Sequence, residues 1–229
     1  MNKKITNLPT HIAFIMDGNR RWATKHKLDK MLGHKKGCDV LKDVVRQIEK
    51  YDGIKYVSFF GFSTENWNRS DDEKNYLFNL FGNLADEIIE ENLNAKFVVM
   101  GDITKFPAGL QEKLINLVKK TKNKTGLVVN IGLNYGGRDD IIHATKLMVQ
   151  SGEEINQENF EKHLYSYPAN NIDLLVRTSG EMRLSNFMLY QLAYSELYFS
   201  KVCWPGFSER ELEKALIAFS KRNRRFGGK

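Results

Sequence analysis

The chain has 229 residues, 41% hydrophobic and 28% charged, with only four prolines; that composition is ordinary for a globular protein with a real core and excludes a disordered chain. Thirty-five Lys and Arg against 28 Asp and Glu leave a formal charge of +7, which suits an anionic partner such as nucleic acid, phosphate esters or an acidic membrane surface without choosing among them. Cys38 and Cys203 stand far apart with no CxxC companion, so neither a disulfide framework nor a zinc cluster is indicated, and both read as packing residues in a reducing compartment.

The opening residues MNKKITNLPTH carry two lysines but no apolar stretch after them, and no apolar run approaches the ~18 residues of a membrane span. The expectation is a soluble, cytoplasmic protein, with peripheral contact at the inner face of the membrane left open. Short runs of Val, Ile and Phe then alternate with segments of helical period. That alternation predicts an α/β fold: a single domain, residues 1–229, with a central, mainly parallel sheet of about six strands surrounded by helices.

The first predicted strand, Ile12–Met16, stops at Asp17 and is followed by Gly18, Asn19, Arg20 and Arg21. Glycine there lets backbone amides approach an anion as a helix begins, although a plain strand-to-helix turn has the same composition. Asp17 reads either as a helix cap or as the single carboxylate that Mg²⁺ uses beside substrate phosphates. His34, in GHKKG, is expected where the next helix starts, and Val40, Leu41, Val44, Val45 and Ile48 form that helix's apolar face. The second predicted strand, Ile54–Phe60, leads into a segment too polar for core and too aromatic for an ordinary loop: Ser63, Glu65, Asn66, Trp67 and Arg69. Trp67 is either part of a site or a structural plug.

Ser70 and Glu73 then fit a capping box before Leu77, Leu80, Phe81, Leu84 and Ile88. Predicted strands follow at Phe97–Met100, Leu127–Leu133, Ile172–Arg177 and Glu196–Phe199, and Ser208 with Glu211 repeats the capping signal before Leu212, Ala215, Leu216 and Phe219. Arg177 and Arg183 flank a short Thr-Ser-Gly-Glu turn near Ser185; their guanidinium forks match a phosphate, with surface salt bridges as the plainer reading. Glu196 begins an apolar strand, where an acid has to be capped, paired or metal-bound. Ligands in open α/β sheets bind outside the carboxyl ends of the strands, so these polar strand ends together describe a site for phosphate and a divalent cation. Neither GxxxxGK[ST] nor GxGxxG spacing is present, so a P-loop or dinucleotide fold is disfavoured.

Taken together, HIAFIMDGNRRWA, GHKKG, FSTENWNR, NYGGRDDI, DLLVRTSGEMRLSNFMLYQLAYSELYF and WPGF resemble the cis-prenyltransferase family, in particular its bacterial undecaprenyl diphosphate synthases. The likeness runs from His11 to the closing RRFGG. It implies a Mg²⁺-dependent enzyme that adds isopentenyl diphosphate repeatedly to an allylic starter such as farnesyl diphosphate, a homodimer, and an apolar tunnel for the growing chain. It assigns Asp17 to Mg²⁺ and catalysis, and Gly18, Asn19, Arg20, Arg21 and Trp22, with Lys30 and His34, to the allylic diphosphate. Ser63, Thr64, Glu65, Asn66, Trp67 and Arg69 match the second block, where the asparagine takes the proton-accepting role. Arg177, Arg183, Leu184 and Ser185 match the isopentenyl diphosphate site, Glu196 the second metal carboxylate, and RRFGG a segment that crosses the dimer interface. Lys30 stands where arginine is common, Arg20 where glycine is common, Tyr190 where tryptophan is usual, and Gly61 where alanine often faces the tunnel, which leaves product length open.

Other readings fit less well. A trans-prenyltransferase needs DDxxD, and DDEKN and DDIIH lack the final aspartate. A nucleic-acid-binding protein needs a continuous Lys/Arg face with stacking aromatics, whereas the cations here gather at strand ends, so no nucleic acid partner is expected. The remaining alternative is a non-catalytic prenyltransferase-like subunit that binds polyprenyl diphosphate. Retention of Asp17, Asn66, Arg177, Arg183 and Glu196 argues against it. For the proton removed from isopentenyl diphosphate, a diphosphate oxygen, Asp17 and Asn66 are all candidates.

Overall fold

The computed structural model describes residue 5 and residues 7–222; the RRFGG segment lies outside the described residues. Six strands form one sheet: β1 (His11–Ile15), β2 (Tyr56–Ser63), β3 (Ala95–Met100), β4 (Leu127–Tyr135), β5 (Leu174–Arg177) and β6 (Glu196–Phe199). Their order is β3-β4-β2-β1-β5-β6 and every pairing is parallel, so the mainly parallel sheet expected from the sequence is wholly parallel. Parallel neighbours need crossovers, and helices supply most of them: α1 (Asn19–Lys25), α2 (Lys30–Ile48), α3 (Asp71–Glu91), α4 (Ala108–Thr121), α5 (Gly137–Ser151), α6 (Gln157–Lys162) and α7 (Glu209–Ser220).

All five residues of β1 are buried, as expected of a strand covered on both faces. Ile12 and Phe14 point into the larger core, against the apolar faces of α2, α3, α4 and α7; Ala13 and Ile15 point into a second core built from Leu175, Phe187, Met188 and Leu192. The two clusters therefore lie on opposite sides of the sheet.

The sequence signals for helix starts need two corrections. Asp29 accepts the Met31 N–H at 2.7 Å and starts α2 at Lys30, so His34 lies a turn inside the helix rather than at its beginning. Before α7 the predicted capping box does not form, since the Ser208 side chain makes no cap bond. The Glu211 carboxylate instead accepts the Ser200 hydroxyl at 3.3 Å and pairs with Lys214 at 2.5 Å.

One buried ring joins the strands. His11 is fully enclosed in β1; its Nδ1–H donates to the Asn171 carbonyl at 3.0 Å, which leaves Nε2 to accept the Ser58 hydroxyl at 2.7 Å. Burial lowers its pKa from 6.5 to about 4, against the raising effects of the Asn171 bond and Asp173. Because the folded value is depressed, the unfolded chain binds more protons between these two values, and stability is lost as pH falls through that window. A shift of this size corresponds to roughly 3 kcal/mol between about pH 7 and pH 4. Urea unfolding across that range should show His11→Gln losing less stability than the parent by about this amount; an unchanged pH slope would contradict the assignment.

Candidate active site at the carboxyl ends of the strands

The register of β1 against β5 sets Ile15 beside Arg177, so the first residues past the two strands share one corner. Arg177 is almost fully buried, and its Nη2 donates to Asp17 Oδ2 at 3.0 Å. Nη1 donates to the Ser185 hydroxyl at 2.8 Å and to the Arg183 carbonyl. The Asp17 carbonyl accepts the Thr178 hydroxyl at 2.7 Å and the Trp204 N–H at 2.9 Å, which fixes the backbone while the carboxylate stays partly exposed. Gly18 follows with φ +99°, and a Cβ there would come within 2.7 Å of Ser179 and 2.9 Å of Cys203. Only glycine makes this turn into α1 without strain.

The facing wall comes from α2 and the start of α3. Gly33 allows α2 to touch the first residue of α1, since a Cβ would sit 2.2 Å from the Asn19 carbonyl oxygen. One turn into α2, buried His34 places Nε2 3.4 Å from Glu73 Oε1 without an aligned hydrogen bond. The same Glu73 carboxylate pairs with Arg69 at 3.2 Å and Arg20 at 3.7 Å. Burial, with Arg69 next and Arg20 further down, lowers the His34 pKa against the pull of Glu73, so the imidazole is neutral at physiological pH. Ser70 does accept the Glu73 N–H, at 3.4 Å, but the Glu73 side chain leaves the capping box to serve Arg20, Arg69 and His34. From the sequence its only signal was the capping pattern.

Two connected spaces result. A bay of about 650 Å³ sets five cations, Arg20, Arg21, Lys25, Lys30 and Arg69, around Asp17, Gly18, Asn19 and His34. An adjoining cavity of about 690 Å³ shares Asp17, Asn19, His34 and Arg69. Its rim carries Ser63, Glu65, Asn66, Arg138, Ser185 and Asn186, and its walls are apolar, with Leu77, Leu80, Phe81 and Leu84 of α3 facing Cys38 and Leu41 of α2. Gly61 lines it as well.

On the rim, Asn66 Oδ1 accepts the Ser63 N–H at 3.1 Å, so the amide group left to the cavity is the donating NH₂. Burial works to raise the Glu65 pKa, but hydrogen bonds involving Ser63, Asn186 and Thr64 hold the carboxyl below its usual value.

Other sequence candidates stand outside these spaces. Trp67 is the plug: its indole N–H donates to Asn134 Oδ1 at 2.7 Å and its ring stacks on Phe106 at 5.7 Å. Trp22 packs on His26 at 4.3 Å, Thr64 lies beside Gly136, and Leu184 packs into the second core. Arg177 braces the site from behind, whereas Arg183 is 60% exposed and pairs with Glu181 at 2.5 Å. Glu196 is not brought to Asp17. It opens β6 in register with Leu174, at the amino ends of the strands, and pairs with Arg222 at 2.6 Å. Residues the sequence reading did not assign to the site are Glu73, Thr24, Lys25, Arg138 and Asn186: Glu73 showed only a capping pattern, Arg138 and Asn186 lay within NYGGRDDI and RLSNF without a role of their own, and Thr24 and Lys25 had no motif.

Known proteins resemble this chain in sequence and in fold. A family model described as "Putative undecaprenyl diphosphate synthase" matches residues 15–227. An isoprenyl transferase of Clostridium tetani is 44% identical over 98% of this chain and 91% of its own length. A ditrans,polycis-undecaprenyl-diphosphate synthase ((2E,6E)-farnesyl-diphosphate specific) of Pasteurella multocida is 44% identical over 97% and 96%. Among solved structures, lavandulyl diphosphate synthase from Lavandula x intermedia, in complex with dimethylallyl diphosphate, superposes with a TM-score of 0.91 at 31% identity, covering 98% of this chain and 100% of that one. A "probable undecaprenyl diphosphate synthase" from Campylobacter jejuni gives 0.83 at 33% identity, covering 97% and 100%.

Glu73 is the internal counter-ion of the bay, and an incoming anion has to compete with it. In Glu73→Gln the amide still accepts from Arg69 while the negative charge is gone. Titration with inorganic diphosphate in the absence of metal should therefore give about fivefold tighter binding, equivalent to roughly 1 kcal/mol between charges at a partly solvated site. Weaker binding in the variant would contradict the counter-ion role.

Proposed function

The chain belongs to the undecaprenyl diphosphate synthase family, and on that premise we propose that it condenses isopentenyl diphosphate repeatedly, in cis, onto farnesyl diphosphate. The product proposed is undecaprenyl diphosphate, precursor of the carrier lipid for cell-wall glycans. The observation that carries this reading is a cationic bay opening directly into an apolar cavity at Asp17. A diphosphate fits the first and a hydrocarbon chain the second, so an amphiphilic allylic diphosphate bound across the two spaces presents its C1 at their junction. We take the cavity to be the tunnel for the growing chain.

In each cycle the C3–C4 π-electrons of isopentenyl diphosphate form a bond to allylic C1, the C1–O bond breaks, and loss of a C2 proton makes the new double bond. Arg20, Arg21 and Arg69 meet the charge that develops on the departing diphosphate, in a site already arranged for it. Neutral His34 contributes a hydrogen bond there without adding to the fixed charge. Ser185 and exposed Arg183 receive the isopentenyl diphosphate, with Arg177 holding both their loop and Asp17 in place. Two substrates anchored by their diphosphates meet with little remaining freedom, an orientation effect worth several kcal/mol, about 7 at best. Asn66 offers N–H groups to the cavity, so we assign it as a donor to diphosphate and assign the C2 proton to a diphosphate oxygen.

The donor set fits Mg²⁺ in one way. Among the described residues no three His, Cys, Asp or Glu side chains converge, and Asp17 Oδ1 has only a 3.5 Å contact with Arg21. One carboxylate completed by diphosphate oxygens and water is the arrangement Mg²⁺ favours. Held there, the ion would neutralise leaving-group charge as a Lewis acid. Glu196 is given no share in this ion within one chain, and the homodimer remains part of the proposal.

Peripheral membrane contact is proposed at the turn between α1 and α2. Leu28 and Leu32 are 43% and 45% exposed beside exposed Lys25, Lys27, Lys30, Lys35 and Lys36, a surface suited to an anionic bilayer. No helix among the described residues is long and apolar enough to cross a membrane. Leu28→Ser/Leu32→Ser should reduce co-sedimentation with phosphatidylglycerol vesicles severalfold, and equal retention would refute this surface.

The assay for the whole reading supplies purified protein with Mg²⁺, farnesyl diphosphate and labelled isopentenyl diphosphate. Label should enter long-chain lipid, and chelating the metal should stop it. Both diphosphates binding without transfer would favour the non-catalytic subunit instead. Asp17→Ala should lower turnover by about 100-fold or more, the scale seen when one preorganised charge-stabilising group is lost, with Tm moving only a few degrees. An equal loss of folding would make Asp17 mainly structural.

A further inference from the structure

The segment Arg183–Met188 is held in an unusual backbone conformation. Ser185, Asn186 and Met188 have φ of +50°, +62° and +40°, a region that non-glycine residues visit rarely and that persists only where the surroundings enforce it. Ser185 is fastened by Arg177. Asn186 is fastened three times. Its carbonyl accepts the Gly137 N–H at 2.6 Å, its Oδ1 accepts the Arg138 N–H at 3.0 Å, and its Nδ2 donates to Glu65 Oε1 at 3.2 Å.

Those partners belong to different parts of the chain. Gly137 and Arg138 open α5, whose N-cap position, Gly136, has no side chain to satisfy the first N–H groups; Asn186 satisfies two of them from a distant loop. A Cβ on Gly136 would stand 2.6 Å from Asp139 Oδ2, 2.7 Å from Asn186 Nδ2 and 2.9 Å from Thr64 Oγ1, so glycine in NYGGRDD leaves room for these three side chains, Asn186 among them. Glu65 belongs to the loop that also carries Asn66. Accepting from a backbone N–H while donating to a carboxylate takes both an acceptor and a donor on one short side chain. Asparagine has both and tolerates a left-handed backbone.

We propose that Asn186 is a positioning residue for the second substrate: it locks the 63–69 loop, the start of α5 and the 183–188 loop into one rim, and so holds Ser185 in register with Asn66. This rests on the condensation proposed above. Its consequence falls chiefly on isopentenyl diphosphate, because the bay for the allylic diphosphate is built from α1 and α2 and takes only Arg69 from the tied loop, where Glu73 holds it separately.

The test is a mutant cycle with steady-state kinetics and thermal unfolding read side by side. Asn186→Gly keeps the left-handed backbone and removes both side-chain bonds; KM for isopentenyl diphosphate should rise about tenfold while KM for farnesyl diphosphate stays within about twofold. Asn186→Asp keeps the acceptor for Arg138 but sets a carboxylate against Glu65, and should be worse at neutral pH. Adding Glu65→Gln, whose amide donates to the new carboxylate, should recover isopentenyl diphosphate KM relative to Asn186→Asp alone. Additive effects in the cycle, or equal changes in both KM values, would overturn the proposal. Coupling in Tm without coupling in KM would overturn it too, since a merely structural tie moves Tm only. Absence of condensation in the parent protein would count against the functional reading itself, and the Tm coupling would then still report whether the tie exists.

Discussion

Parallel register between β1 and β5 is the constraint on which the site depends. It ends the two strands side by side, so that a carboxylate two residues past one meets a guanidinium on the last residue of the other. Asp17, Ser185 and the Arg183 carbonyl hold the two Nη groups of buried Arg177, while its Nε is buried without a partner among the described residues. Those same contacts fix where Asp17 points and where the loop after β5 runs. Register, burial and hydrogen bonding from the two Nη groups thus converge on one corner of the sheet.

The distribution of charge follows from that corner. Five cations facing a small bay repel one another, and the fold moderates this with acids placed behind them: Glu73 among Arg20, Arg69 and His34, and Glu181 between Arg21 and Arg183. Such pairs keep the basic side chains ordered before an anion arrives, which lessens the reorganisation needed when charge shifts toward the leaving group. Beneath them the cavity is lined by apolar side chains of α2 and α3 that also belong to the core, so Leu77 and Leu84 serve packing and lining together.

Much of this was legible in the sequence where the signal was local. The apolar run of β1, the α2 face from Val40 to Ile48 and the polar strand ends all appeared as periodicity or composition, and the blocks resembling a known family supplied order and roles. Long-range geometry was not legible. Glu73 read as half of a capping box because Arg20 and His34 lie far off in sequence, and Arg69, four residues before it, carried no sign of pairing with it. Glu196 read as a site acid because a motif says nothing about which end of a strand its first residue occupies. Trp67 had two readings, and Asn134 and Phe106 decide for the plug. Asn186 had no visible role until α5 was seen to begin without a cap of its own.

The central claim is that charge and hydrocarbon are sorted between two adjoining spaces at Asp17. A crystal structure with a farnesyl thiolodiphosphate, which resists loss of the diphosphate, measures this most directly. The account predicts diphosphate oxygens against Arg20, Arg21 and Arg69, and the farnesyl chain against Leu41, Leu80 and Leu84. A chain lying outside the cavity, or a diphosphate seated away from Asp17, would contradict it.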